Sequence, residues 1–222
     1  MILAWIVAKC MAWLFHEPAP APVKLPIAQA YATDFQAASE VSQPEKIVQK
    51  PPQKVLNNRV VLQAAQQSLA QLPEWQGKPL RVFQQVAFFD GERPRIELAL
   101  QNPTQPESLI FYTYEQGKWT ASQAEDVSHI KNLTPYLFDL NSVQFVQAAD
   151  IGQTWQQKAQ EVNAAEQTPY YVALVWLPKP KKLMWHTATL EATGAQYYLS
   201  CHLDGSVWEF KNLSTNSAVE EQ

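Results

Sequence analysis

Apolar and polar positions along the chain fall into three regimes. Residues 1–15 (MILAWIVAKCMAWLF) are apolar almost throughout, interrupted by Lys9 and Cys10. Residues 17–52 carry recurrent prolines, in EPAPAPVKLP and again in QPEKIVQKPP. Beyond residue 58 the pattern becomes periodic. In residues 60–75, Val61, Ala64, Ala65, Leu69 and Leu72 recur at helical spacing and predict a core-facing helix that Pro73 closes. Extended runs follow at 80–89, 95–101 and 109–114, the second alternating Ile96, Leu98 and Leu100 with Arg95, Glu97 and Gln101. Asp90-Gly91 and Asn102-Pro103 punctuate these runs as turns, so an antiparallel meander is expected.

The same order then recurs. Ile151, Trp155, Ala159 and Val162 form a second helical stripe, followed by extended runs at 170–177, 183–190 and 196–203. The hairpin ends also match: LIFYTYEQGKW at 109–119 and YYLSCHLDGSVW at 197–208 each join an aromatic-rich strand to a Gly turn and a Trp. The expected fold class is therefore α+β, with two helix-plus-antiparallel-sheet repeats behind an N-terminal membrane segment and a Pro-rich tether. The expected boundaries are 1–16 for the membrane segment, 17–58 for the tether, 59–135 and 136–213 for the repeats, and 214–222 for a frayed tail. Residues 129–140 join the repeats.

As a helix, residues 1–15 would span about 22 Å, short of the ~30 Å hydrocarbon core, so the expectation is a single-pass anchor whose start omits upstream residues. A cleaved signal peptide is the competing reading, with Ala28-Gln29-Ala30 as the small-x-small site before Tyr31. The apolar run stops at Phe15, however, and prolines intervene. A lipoprotein built on Cys10 would need a small residue where Lys9 stands. Alternating proline extends as polyproline II and makes a semi-rigid spacer, with an amphipathic helix possible at 27–41. The expected location is the inner membrane of a bacterial envelope, single pass, with the soluble part periplasmic; a secreted or soluble periplasmic protein is the alternative.

A formal net charge of -4 removes the basic field that nucleic-acid binding requires, and no nucleic-acid partner is expected. The two cysteines, Cys10 and Cys201, lie far apart, and no structural disulfide is expected between them.

The stretch YYLSCHLDGSVWEF resembles small envelope modules of the PepSY kind, whose helix-then-strands unit ends in an aromatic strand and a D-G turn. The tandem arrangement is similar to the β-lactamase inhibitor protein architecture. Such a resemblance implies binding or inhibition of another envelope protein and no catalysis.

Candidate chemistry is sparse. Adjacent strand residues point to opposite faces, so Cys201 and His202 form no dyad; parity places Cys201 with Leu199 and Leu203 on the apolar side, and His202 with Tyr198, Ser200 and Asp204 on the wetter one. His186, His202 and Asp204 could converge as metal ligands or as an acid/base group, but none of the familiar ligand spacings accompanies them, and neither metal nor cofactor is expected. With six glycines and no G-x-S-x-G, neither phosphate loops nor a nucleophile elbow is indicated. Most of the tryptophans should be core, while Tyr170, Trp176 and Trp185 could leave an aromatic patch for a partner or a glycan. The adjoining KPKK turn adds Lys179, Lys181 and Lys182, whose sharper reading is contact with anionic headgroups.

The expected function is a membrane-anchored, non-enzymatic interaction or assembly module, held by residues 1–15 and bound to an envelope protein. Its possible interaction residues are Tyr170, Trp176, Trp185, His186, His202 and Asp204. The alternatives are a small-ligand or glycan-binding domain with an aromatic cleft between the repeats, and a hydrolase built on His186, His202 and Asp204.

Overall fold

The computed structural model describes residues 54–214. The expected anchor, the tether to residue 53, the candidate helix at 27–41 and the tail from residue 215 lie outside the described residues. No helix among the described residues is long and apolar enough to cross a membrane.

The described chain is α+β: one large antiparallel sheet with two helices. Helix α1 (Arg59–Ala70) begins where Asn58 caps it, its side-chain oxygen accepting the Val61 N–H at 3.1 Å. Its buried stripe is Leu62, Ala65 and Leu69. This differs from the expected stripe, since Ala64 is exposed and Val61 only half-buried. The helix carries apolar residues at both 61 and 62, and the larger Leu62 takes the core. Helix α1 also ends at Ala70, before the expected stop, and Pro73 opens a separate 3-10 turn, Pro73–Trp75. Helix α2 (Gln147–Glu161) buries Ile151, Trp155 and Ala159 on one face, as their spacing predicts.

The strands are β1 (Arg81–Phe89), β2 (Arg95–Gln101), β3 (Ser108–Glu115), β4 (Lys118–Ala121), β5 (Glu125–Asp126), β6 (Leu137–Asp139), β7 (Tyr171–Leu177), β8 (Lys182–Thr187), β9 (Leu190–Ala192), β10 (Ala195–Cys201) and β11 (Val207–Asn212). The sheet runs β11-β10-β8-β7-β1-β2-β3-β4, with β5 beside β3, β6 beside β1 and β9 beside β10. Its centre is the ladder pairing β1 residues 85–89 with β7 residues 175–171, and from there a meander runs outward to each edge.

Alternation decides which side chains meet the helices. On β2, Ile96, Leu98 and Leu100 join the main core with Leu62, Leu69 and Trp155. Ala99 faces the other way, yet it is also buried, because the connection after β5 folds across that face and brings Leu133 and Leu137 against Phe83 and Leu109. The 129–140 connection thus covers one half of the sheet before adding β6 to it.

Two irregularities shape the sheet. On β1, Val82 pairs with Leu100 but Val86 pairs with Leu98, so the strand carries a bulge, and within it Gln84 has φ +60°. Below the bulge β1 pairs with β6; above it β1 pairs with β7. The run expected as one strand over 183–190 is broken in two. Trp155 of α2 donates its indole N–H to the Ala188 carbonyl at 2.8 Å, and the buried Thr187 hydroxyl reaches the Leu199 carbonyl at 3.0 Å. The backbone between β8 and β9 is thereby turned toward the helix.

Candidate functional site

Two hairpin tips lie side by side at one end of the sheet. The β7–β8 tip holds Lys179, Pro180 and Lys181 exposed, with Lys181 at φ +51°. The β10–β11 tip is closed by Asp204, whose carboxylate accepts the Ser206 N–H at 2.9 Å and the Ser206 hydroxyl at 2.7 Å. These bonds hold the Asp204 carboxyl below its ordinary range. The tip is seated on α2 by Gln147, which donates to the Leu203 carbonyl at 3.3 Å.

Between the tips lies an open groove of about 770 Å³. Trp176, Leu183 and Leu203 give it an apolar floor, and Lys181, Lys182, His202, Asp204 and Ser206 give it a polar rim. Trp176 is fixed by its indole N–H, which donates to the Pro135 carbonyl at 2.8 Å, and by packing on Phe138. Next to the rim, Trp208 is 42% exposed. The His202 imidazole stacks on it at 5.3 Å and 8° between planes, and the Lys182 ammonium sits 3.7 Å from its ring centroid. A cation, an imidazole and an indole are therefore grouped at the surface beside an apolar groove. Such a set can hold a planar or anionic group against an apolar body.

Of the residues singled out from sequence, the structure brings Trp176, His202 and Asp204 together in this groove. The others lie elsewhere. Tyr170 is 59% exposed but precedes β7, at the opposite end of that strand from Trp176, so the two form no common patch. Trp185 is 1% exposed on the helix-facing side, packed against Phe88, and presents nothing to a partner. His186 does lie on the strand next to β10, opposite Ser200, but its ring contact is with Tyr198 at 5.2 Å. Burial pushes its imidazole below the usual histidine range, and Nδ1 has no hydrogen-bond partner. Asp204 is committed to its turn and His202 to Trp208. Among the described residues no group of three or more His, Cys, Asp or Glu side chains is placed to hold a metal.

Cys201 is fully buried in the main core, and burial, with Asp204 nearby, pushes its thiol up to about 11. The face carrying His202 is drier than expected from sequence, since Ser200 is 1% exposed. The seam between the two helix-strand groups is a continuous ladder, so the aromatic groove lies at the strand ends instead.

Sequence reasoning missed Trp208 and Lys182 as partners. The matching hairpin ends suggest equivalent places for Trp119 and Trp208, yet these differ. Trp119 donates to the Ala65 carbonyl at 2.9 Å and packs on Tyr112 and Tyr114, whereas Trp208 stacks outward on His202. A bulge between Ser200 and Cys201 shifts β11, and Phe210 packs toward the core instead, stacked on Tyr197.

No family model matches the chain, and no curated protein or solved structure is significantly similar to it.

Proposed function

We propose that the chain is a membrane-tethered protein of the bacterial envelope whose α+β body is a non-enzymatic interaction or assembly module. In this reading residues 1–16 anchor it in the inner membrane, the Pro-rich stretch gives it reach, and the body works on the periplasmic side against another envelope protein. The observation that carries the reading is the groove between the two hairpin tips, with Trp208 exposed beside it under Lys182 and His202. Exposed Trp with a cation and an imidazole beside it suits a protein contact, where an aromatic anchor supplies most of the affinity. A duplicated helix-plus-strands unit, as in the tandem architecture that the sequence resembles, is supported by the helix that precedes each meander and by the outward run of both from the β1–β7 ladder.

A photo-crosslinking residue in place of Ser206, in the full chain in cells, tests the partner. A discrete membrane-fraction adduct that a probe at Glu92 does not give is the expected result. Adducts shared equally by the two probes would overturn the reading. Fractionation tests the tether: retention in the inner membrane with the leader attached, and digestion only after the outer membrane is permeabilised, is expected, and a soluble chain starting at Tyr31 would remove the anchor.

The second reading, a small ligand or glycan held in the groove, is favoured by the indole of Trp176 in its floor and that of Trp208 beside its rim. A saturable change in tryptophan fluorescence on adding oligosaccharides, lost in Trp208→Phe, would select it over a protein partner.

A further inference from the structure

Strand β11 ends the sheet, and no described strand pairs with its outer side. Its sequence is VWEFKN, and three of the six large apolar side chains exposed among the described residues belong to it or follow it directly: Val207, Trp208 and Leu213. The opposite edge is different in kind. There β3 is bordered by the four residues of β4 and, after a break, by the two residues of β5. Beyond its bulge the regular part of β11, residues 209–212, is no longer than β4, but it carries opposite charges at Glu209 and Lys211 where β4 carries Lys118 alone.

The ladder fixes which backbone groups of β11 point outward. Residues 197–200 of β10 pair with 212–209 in simple antiparallel register, and the Leu213 N–H donates to the Gln196 carbonyl at 2.7 Å in the same register. Pairs alternate between hydrogen-bonded and non-hydrogen-bonded, so Leu213, Lys211 and Glu209 turn their N–H and C=O toward β10. Phe210 therefore turns its own outward.

We propose that β11 pairs antiparallel with β11 of a second copy of this chain, joining the two sheets about a two-fold axis at Phe210. Hydrogen-bonding parity permits an axis at Glu209, Phe210 or Lys211 and none between residues. An axis at Glu209 sets Glu209 against its own copy, and one at Lys211 does the same with lysines. Only the axis at Phe210 sets Glu209 of each copy against Lys211 of the other, in non-hydrogen-bonded pairs where side chains are closest. The bulge at Trp208 ends this register, so the paired stretch is residues 209–211 of each copy, with Phe210 at its centre. Neither Glu209 nor Lys211 enters an ion pair within the described chain, so both charges remain for the partner copy. The interface is isologous and closes at two copies. The paired residues 209–211 do not line the groove, although Trp208 of the same strand borders it; the charge-swap variants below therefore read the dimer apart from any contact made in the groove.

The test is self-association of the full chain, carrying Cys10→Ser, in detergent by sedimentation equilibrium. A dimer is expected. Glu209→Lys and Lys211→Glu each replace two opposite-charge pairs by two like-charge pairs and should each weaken association by about tenfold or more. The double variant Glu209→Lys/Lys211→Glu restores the pairs and should recover the dimer. Register is read by oxidation: a mixture of Glu209→Cys and Lys211→Cys chains should form a mixed disulfide, since Cα atoms about 4.5 Å apart suit one. A monomer at all concentrations, a dimer indifferent to the charge swaps, or crosslinking of Glu209→Cys with itself in place of the mixed product would each overturn the proposal.

Discussion

Trp75 donates its indole N–H to the Tyr112 hydroxyl at 2.8 Å, and that hydroxyl lies 3.3 Å from the Glu74 carboxylate as donor in turn. Both rings are about 2% exposed, packed edge to face at 6.1 Å. One hydroxyl therefore satisfies a buried indole and ties the 3-10 turn after α1 to the middle of β3. Tyr112→Phe leaves the Trp75 N–H buried without an acceptor and should cost about 1–3 kcal/mol, read as a lower urea midpoint at unchanged slope.

The same tyrosine predicts a pH response. Burial, offset in part by the Trp75 bond and reinforced by Glu74, pushes its pKa up to about 12. The neutral form is favoured in the folded state, so the associated stability is full below pH ~10 and is lost as pH rises from ~10 through ~12. Over that window wild type should lose about 2–3 kcal/mol more than Tyr112→Phe does. Equal losses in the two proteins would place the alkaline transition elsewhere.

Cys201 adds an earlier component of the same sign. Its thiol, buried and raised to about 11, favours the folded state below the usual cysteine range, and that contribution falls as pH climbs through ~9 to ~11. At pH 8 a thiol reagent should label Cys201 only as fast as the chain opens, with denaturant accelerating labelling in parallel with unfolding. Rapid native labelling would contradict its burial.

How far these relationships are legible in the sequence depends on their range. Strand β2 is read to its residues, 95–101, because alternation and the flanking turns are local signals. The face of α1 is read correctly at Ala65 and Leu69 and wrongly in its first turn, because a helix with Val61 and Leu62 adjacent supports two stripes there and only the sheet beneath chooses between them. The break after Thr187 is invisible locally, since it depends on an indole 33 residues away in sequence taking the Ala188 carbonyl. For the candidate site, parity separates Cys201 from His202 on sequence alone. The bulge that turns Trp208 outward onto His202 leaves no such local signature, and the groove itself exists because β8 neighbours β10.

Gln84 carries the conformational burden of the point where β1 changes partner. At φ +60° its backbone is in the left-handed region, which disfavours any residue with a Cβ. Gln84→Gly should therefore raise stability by about 0.5–1 kcal/mol, and Gln84→Val should lower it by roughly 1–2 kcal/mol. Thermal melts of the pair test this. If both variants were destabilised equally, the Gln84 side chain, and not its backbone, would be what the bulge requires.

Trp208 separates folding from binding. Its ring is 42% exposed and its contacts are with two surface groups, His202 and Lys182. A cation over an exposed indole contributes about 0.5–1 kcal/mol, so Trp208→Ala should cost no more than about 1 kcal/mol in stability. Trp155→Ala, by contrast, removes a ring that is 1% exposed and the bond to Ala188, and should cost about 3–5 kcal/mol. In the proposed function the order reverses for binding: Trp208→Ala should abolish the Ser206 crosslink while leaving the urea midpoint nearly unchanged. Retention of the crosslink in that variant would move the contact to the Trp176 side of the groove and leave Trp208 as a bystander.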